Sequence, residues 1–393
     1  MILSLLVVLA WARSADAYAW MIRHAYPNCR VCHADPSGGG LLTSFGRAKA
    51  EGLLRTRYAG NPDADPGTMG EFLFGAFRLP DALLMGGDLR GMEMRMMPQG
   101  AAATHRWVWM QADLAGQLTV GRFRANASLG YADTGALPAA ITRGERHNLV
   151  SRVHWLGVDL DDSKRFLLRA GRLNLPFGLR VIEHTLWVRA ATRTDINQSQ
   201  QGGLALSWSG GSWRGEVMAI AGNFQVRPDS YRDRGYAAFV ELAPIDRLAI
   251  GASSTIVHAA TDLLVMTPVW RHAHGLSARW SPFEQLAILS EFDMLLLSQP
   301  ATAMTAAHNA LGYAGMTQVD LEVVQGVHVM GTGELFNPEP NQQAASVGVW
   351  GSVAWFFAPH ADVRGDVVRQ SLVVSPGRRA SATVLLGQVH MFL

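Results

Sequence analysis

Both cysteines of this 393-residue chain fall in one pentapeptide near the N-terminus, Cys29-Arg30-Val31-Cys32-His33. The two thiols are about one helical turn apart, so each can bond a vinyl group of the same porphyrin, and the next residue can ligate the iron. The pentapeptide therefore predicts one covalently bound haem c. Cys29 and Cys32 are the predicted attachment residues, and His33 is the predicted proximal iron ligand.

Three other uses of a Cys-x-x-Cys pair compete with this interpretation. The pair could be oxidised to a disulfide in an oxidising compartment. A zinc site needs four ligands, and the sequence holds no second cysteine pair. A thioredoxin-like redox pair needs a βαβ context, which the surrounding residues do not offer. Because His33 follows Cys32 directly, haem attachment is the favoured interpretation.

A sixth iron ligand is expected to come from a histidine or a methionine near this motif. The nearest candidates are Met21, His24 and Met69. Met69 lies downstream of the motif, as the methionine ligand of many small cytochromes does, and the sequence does not decide between it and His24. The choice matters because a methionine ligand raises the reduction potential relative to a second histidine.

A glycine-rich turn and a short helix follow the cysteine motif. The turn is the run Pro-Ser-Gly-Gly-Gly at residues 36–40, and apolar side chains between Leu41 and Leu53 mark the helix. Residues 20–60 are thus predicted to form a small α-helical haem c segment. It has too few apolar residues to fold alone, so the porphyrin and a neighbouring domain must complete its core.

The two flanks of this segment indicate export and a linker. Residues 1–19 predict a signal peptide, because an apolar run precedes Ala17 and Ala19, although no basic residue comes before that run. A membrane anchor is the alternative, but the run is shorter than the roughly 20 residues of a spanning helix. Residues 61–82 begin with a stretch rich in Pro, Asp and Gly, which is typical of a linker.

The remainder, residues 83–393, has the pattern of a transmembrane barrel. Forty glycines, 12 tryptophans and a mean hydropathy near zero suit strands that alternate lipid-facing and polar residues. In residues 118–131, for example, every second side chain from Arg122 to Ser128 is polar. The predicted fold is mainly β, an outer-membrane antiparallel β-barrel of about 16 strands with the small haem c segment in front. A soluble β-sandwich or propeller is the alternative.

The small net charge argues against a nucleic-acid partner, and the charged residues within the predicted strands suggest a polar lumen. A net charge of +2 with 17% charged residues gives no nucleic-acid-binding surface. Tryptophans near the ends of the predicted strands indicate aromatic girdles at the lipid boundaries. The side chains predicted to face the lumen are Asp88, Asp113, Arg122, Arg124, Glu216, Asp320, Glu322, Glu334, Arg364 and Asp366.

This layout resembles the porin-cytochrome c fusion family, whose best-known members are monohaem iron-oxidising outer-membrane cytochromes. The resemblance covers the whole chain and is carried by Cys29, Cys32 and His33 and by the element Phe45-Gly46-Arg47. Residues 36–41 and the run 171–180, followed by His184-Thr185, are similar to an uncharacterised group of such fusions. The glycine-rich turn departs from the iron-oxidising members, which puts iron in doubt as the substrate.

Two functions follow from these observations. In the first, an electron crosses the outer membrane between an extracellular donor or acceptor such as Fe(II) and a periplasmic carrier, through a haem in the lumen or periplasmic mouth. The protein would be an electron carrier rather than a classical enzyme, and no Gly-x-Ser-x-Gly motif suggests a hydrolase. In the alternative, the barrel is a porin for solutes whose haem fills the lumen or senses redox state.

Overall fold

The computed structural model describes residues 19–58, 71–133, 140–142, 147–181, 183, 185–197, 199–224, 231–262, 266–302 and 306–393. Nearly all of the predicted signal peptide lies outside these residues, as do the first part of the linker, Met69 and His184.

Strands make up most of the described chain. They are β1 (Leu83–Pro98), β2 (Thr104–Val120), β3 (Phe123–Asp133), β4 (His147–Val150), β5 (His154–Asp159), β6 (Phe166–Leu173), β7 (Gln201–Gly210), β8 (Trp213–Gly222), β9 (Arg234–Ile245), β10 (Leu248–Ala259), β11 (Val269–Phe283), β12 (Leu286–Gln299), β13 (His308–Val324), β14 (Val327–Asn337), β15 (Ser346–Ala358), β16 (Ala361–Ser375) and β17 (Arg378–Phe392).

These strands close into one antiparallel barrel. Apart from β4 and β5, consecutive strands pair with each other, and β1 pairs with both β2 and β17, so the described strands form a closed sheet. The strands β4 and β5 both pair with β3 and follow one another along it, so they form one interrupted strand of a 16-stranded barrel. The predicted fold class is confirmed.

Buried and exposed side chains alternate along the strands, which gives the barrel an apolar outer wall and a polar lumen. In β15 the buried positions are Ser346, Gly348, Trp350, Ser352, Ala354 and Phe356. The valines between them are about half exposed, at 47% to 57%. Because backbone groups are satisfied between strands and the outer side chains are apolar, such a wall can face lipid without unpaired polar groups.

One detail of the predicted strands is wrong. Arg122 does not face the lumen, because Gly121 and Arg122 form the turn between β2 and β3. A two-residue turn preserves the alternation of polar and apolar residues, which hid the break. The predicted aromatic girdles do not include Trp155 and Trp350, which are buried on the lumenal side.

The barrel has a short-turn end and a long-loop end. Two-residue connections at the short-turn end include Gly121-Arg122, Gly211-Ser212 and Gln325-Gly326, and each contains a glycine at positive φ. These tight hairpin turns require such a backbone conformation, which glycine adopts at low cost. The start of β1 and the end of β17 lie at this end too. Most connections at the opposite end are longer, and the exception is the two-residue turn Pro376-Gly377 between β16 and β17.

The helices are short and belong to two inner segments. Residues 19–58, named here the N-terminal segment, contain 3-10 turns at Ala19–His24 and Cys29–Val31, helix α1 (Ser44–Lys49) and a π-helical turn at Ala50–Leu54. A further 3-10 turn at Phe72–Gly75 precedes β1, and helix α2 (Trp187–Thr192) lies between β6 and β7. None of the helices among the described residues has the length and apolar character of a membrane span.

Candidate functional site

The N-terminal segment lies inside the barrel near its short-turn end. It contacts strands around the circumference of the wall. The contacts are Arg47 with Met85 on β1, Arg30 with Asp159 on β5, Asp35 with Arg169 on β6, Asn28 with Ser209 on β7, Pro27 with Arg279 on β11, Arg23 with Asp320 on β13, Trp20 with His328 on β14 and Thr56 with Phe356 on β15. The segment therefore spans the cross-section of the lumen.

A buried ion pair fastens the start of this segment. Arg23 Nη2 lies 2.5 Å from Asp320 Oδ2, and both side chains are fully buried. Arg23 Nε also donates to the carbonyl of Trp20 at 3.2 Å. Removing one member of a buried pair costs about 3–5 kcal/mol, because the other charge stays buried without its partner.

We expect Arg23→Met to loosen the N-terminal segment from the wall. The measurement is limited proteolysis of the detergent-solubilised barrel, with cleavage sites within residues 19–58 mapped by mass spectrometry. Arg122→Met is the matched control, because the pair of Arg122 with Asp162 is exposed and such pairs contribute about 0–1 kcal/mol. Equal protection of the segment in both variants would contradict the role given to Arg23.

The cysteine motif folds into a small hairpin closed by the glycine-rich turn. The Ala34 amide donates to the carbonyl of Leu41 at 2.9 Å, and the Thr43 amide donates to that of Cys32 at 2.7 Å. Gly38, Gly39 and Gly40 all have positive φ, so the turn depends on glycine. The hairpin brings His33 Nδ1 to 3.2 Å from the Gly40 carbonyl. A metal-ligating histidine makes this kind of contact through the ring nitrogen that does not bind the metal.

Helix α1 packs against the backbone of the motif. Thr43 caps this helix by accepting from the Gly46 amide at 3.0 Å, and its hydroxyl donates to the carbonyl of Val31 at 2.7 Å. A Cβ on Gly46 would lie 2.5 Å from the Cys32 oxygen and 2.8 Å from Cys32 Cβ. Arg47 donates to the carbonyl of Met85 on β1. In the Phe-Gly-Arg element, glycine thus allows close packing on Cys32 and arginine ties the helix to the barrel.

We expect Gly46→Ala to push α1 away from Cys32 and to lower the fraction of chains that carry haem. Over-packing of this kind costs about 1–3 kcal/mol. The measurement is haem per polypeptide, from the pyridine haemochrome spectrum and the total protein. Gly52→Ala is the matched control, because a Cβ there meets no atom within 4 Å, and its haem content should stay at the wild-type level. Equal haem in the two variants would contradict this packing.

Asp35 connects the motif to the wall and to the segment between β6 and β7. Asp35 accepts from Arg169 at 3.2 Å, from Asn174 at 2.9 Å and from the Ser37 hydroxyl at 2.9 Å. Burial by itself would raise the pKa of Asp35, but Arg169, Arg180 and these hydrogen bonds hold it below its ordinary value. Asp35 therefore stays ionised and fixes the residues that follow His33.

A cavity lies beside the motif, between the N-terminal segment and the wall. The empty space between the atoms there is about 1430 Å³, including the part that joins the solvent. Cys32 and His33 line it, together with Met21 from the same segment. The polar residues that line it from elsewhere in the chain include Asp88, Arg90, Asp113, Arg152, Arg180 and His390.

The residues around this cavity fit a haem. The Nη1 atom of Arg180 is buried and has no hydrogen-bond partner among the described residues, although Nη2 donates to Ser37 at 2.9 Å. A haem propionate would supply the missing acceptor. Cys32 and His33 already line the space. Cys29 is buried against Gly38 and is not among the lining residues, so it fits the group less directly than Cys32 does.

Of the predicted candidates for the sixth ligand, one lines the cavity and another does not. Met21 lines it. His24 does not, and its ring nitrogens lie 3.6 Å from Glu284 and 3.8 Å from Glu322. Burial, only partly offset by Glu322, holds the pKa of His24 below its ordinary value. Met69 lies outside the described residues.

The segment between β6 and β7, named here the lumenal loop (residues 174–200), reaches across the barrel. The Gly178 amide donates to Ser253 at 2.9 Å, the Leu179 amide to Glu291 at 2.7 Å and the Trp187 amide to Glu334 at 2.9 Å. These partners lie on β10, β12 and β14. Of the predicted lumenal carboxylates, Glu334 thus holds this loop, and Asp320 holds the N-terminal segment.

Arg180 and His390 line this cavity, but the sequence did not predict either of them as a site residue. Neither belongs to a motif, and both reach the cavity only because the chain closes a barrel. The run 171–180, noted for its resemblance, ends at Arg180, which is the one signal that pointed toward it. No comparable signal exists for His390.

Comparison with known proteins supports the architecture. No family model matches the chain, and no curated protein matches it. Solved structures of outer-membrane barrels are similar in fold. OmpT of Vibrio cholerae has a TM-score of 0.59 at 12% identity and covers 80% of this chain and 99% of its own. An anion-selective porin from Comamonas acidovorans has a TM-score of 0.59 at 11% identity, covering 79% and 99%. The outer-membrane channel DcaP of Acinetobacter baumannii has a TM-score of 0.56 at 9% identity, covering 80% and 99%. The chain thus has a porin-like barrel fold.

Proposed function

We propose that this protein is an outer-membrane electron carrier that holds one haem c inside a porin-like barrel, at the periplasmic side. The observation that carries the proposal is that the only two cysteines of the chain and the following histidine lie inside the barrel, where Cys32 and His33 line a cavity between the N-terminal segment and the wall. A haem bound there supplies a one-electron couple. The outer wall would face lipid.

The orientation follows from the connections between strands. Single-chain outer-membrane barrels have short periplasmic turns and longer extracellular loops. The short-turn end, which holds the N-terminal segment, would therefore face the periplasm. An extracellular donor must then enter from the long-loop end, past the lumenal loop, and a periplasmic carrier must approach the opposite end.

The electron balance is simple. In the oxidative direction, an extracellular Fe(II) ion gives up one electron and becomes Fe(III), and one periplasmic carrier molecule is reduced by that electron. The polypeptide supplies no redox group of its own in this step. Its side chains would hold the centre and provide its ligands, and buried charges such as Arg180 would adjust its potential.

The test uses proteoliposomes with a soluble cytochrome c trapped inside and Fe(II) added outside. We expect the trapped cytochrome to become reduced with the wild-type protein. The control barrel carries Cys29→Ser and Cys32→Ser. If that control supported equal reduction, Fe(II) would be passing through the pore itself, and the electron-transfer proposal would be wrong.

The second candidate is a channel for solutes, and the comparisons favour it. The similar structures include an anion-selective porin and an outer-membrane channel. In this function the haem would fill the lumen or sense redox state while solutes pass. The two functions differ in whether the pore conducts. The N-terminal segment and the lumenal loop both cross the lumen, and conductance measures how much of it they leave open.

A further inference from the structure

We propose that His390, on the last strand of the barrel, is the sixth ligand of the iron. This inference rests on the proposed function, since it needs a haem bound at the cysteine motif. It differs from the sequence-based candidates because it takes the ligand from the barrel wall and not from the N-terminal segment. The wall and that segment would then be joined through the metal.

The orientation of the His390 ring is the first argument. Nδ1 lies 2.8 Å from Asp362 Oδ2, and Asp362 is not among the residues that line the cavity beside the cysteine motif. Nε2 lies 3.2 Å from Asp88 and 3.5 Å from Arg90, and both of these residues line that cavity. Nε2 is therefore the ring nitrogen on the cavity side.

The hydrogen bond to Asp362 is the second argument. A histidine that binds a metal usually donates its other ring N–H to a carboxylate or a carbonyl, which fixes the tautomer and the ring orientation. Asp362 provides a carboxylate for this purpose, as the Gly40 carbonyl does for His33. The two histidines thus carry matching supports, and each lines the cavity.

Proximity of the two histidines is the third argument. Asp88 lies beside His390, and both residues line the same cavity as His33. Leu41, from the hairpin of the cysteine motif, packs onto β1 at Gly86 beside the chain end at Leu393. The motif thus lies against the seam between β1 and β17, where His390 is located.

The rival ligands are less well placed. His24 does not line the cavity. Met21 lines the cavity but belongs to the main buried apolar cluster with Trp20 and Ile22. A thioether from Met21 would give a different spectrum from a second imidazole, so the two ligands can be told apart.

The experiment compares optical and EPR spectra of purified variants, normalised to haem content. The wild-type protein should be low-spin with two imidazole ligands. His390→Ala should become high-spin, and added imidazole should restore the low-spin spectrum. His390→Met should give low-spin haem with a sulfur-to-iron charge-transfer band and a higher reduction potential. His258→Ala is the control, because that ring lies against the exposed Trp270 on the outer wall.

The outcomes separate this inference from the proposed function. A wild-type protein without haem would overturn both. A wild-type haem with a thioether spectrum, or one whose spin state changes in Met21→Leu or His24→Phe but not in His390→Ala, would overturn only the assignment of His390. If His390→Ala retained no haem, the spectrum of His390→Met would test the assignment. A thioether spectrum would support it, and an unchanged bis-imidazole spectrum would overturn it.

Discussion

Replacing both Cys29 and Cys32 with serine is expected to abolish covalent haem completely while leaving the barrel assembled. The haem stain of a denaturing gel should disappear, because only thioether bonds survive denaturation. The barrel should persist, since its wall is held by strand pairing from β1 to β17 and not by the motif. Heat-modifiable migration in gels without boiling measures the assembled barrel.

The controls for this result separate attachment from folding. His33→Ala removes the predicted proximal ligand but keeps both thiols, so it should retain less haem than wild type and lose the wild-type spin state. Arg122→Met, in the exposed turn between β2 and β3, should change neither property. Full haem staining in the double serine variant would mean that the cysteines are not the attachment sites.

Deleting residues 20–58 is expected to convert a poorly conducting barrel into an open pore. The N-terminal segment touches eight different strands around the wall, including β1, β6, β11 and β15. A barrel of 16 to 18 strands without such filling leaves an aqueous channel. Single-channel conductance in planar bilayers should therefore rise from near the baseline to the level that the remaining lumenal loop permits.

The double serine variant is the matched comparison for the deletion. It keeps the N-terminal segment but lacks the haem, so its conductance should stay close to that of the wild type. If it conducted as freely as the deletion, the haem and not the polypeptide would be closing the lumen. A wild-type protein that already conducts like an open porin would favour the solute-channel function instead.

The barrel could be predicted from the sequence because lipid and lumen impose a period of two on every strand. The same regularity hid the turn at Gly121-Arg122, since two turn residues leave the alternation in phase. Trp155 and Trp350 show a second limit. Aromatic residues suit both a lipid boundary and a packed lumen, so the sequence cannot tell which one a tryptophan faces.

Only part of the candidate site could be predicted from the sequence. Cys29, Cys32 and His33 lie within one pentapeptide, so the prediction of haem attachment needs only this short stretch of sequence. The cavity residues Asp88 and His390 lie 302 positions apart and meet only because β1 pairs with β17. Register between the first and last strands depends on the closure of the whole sheet. The residues around His390 in the sequence do not indicate that it lines the cavity.

The most direct test of the central claim is the intact mass of the mature chain extracted from outer membranes. We expect the mass of the processed polypeptide plus one haem, with neither cysteine available to an alkylating reagent after denaturation. A mass equal to that of the polypeptide alone, with two alkylated thiols, would contradict the assignment of this barrel as a haem protein.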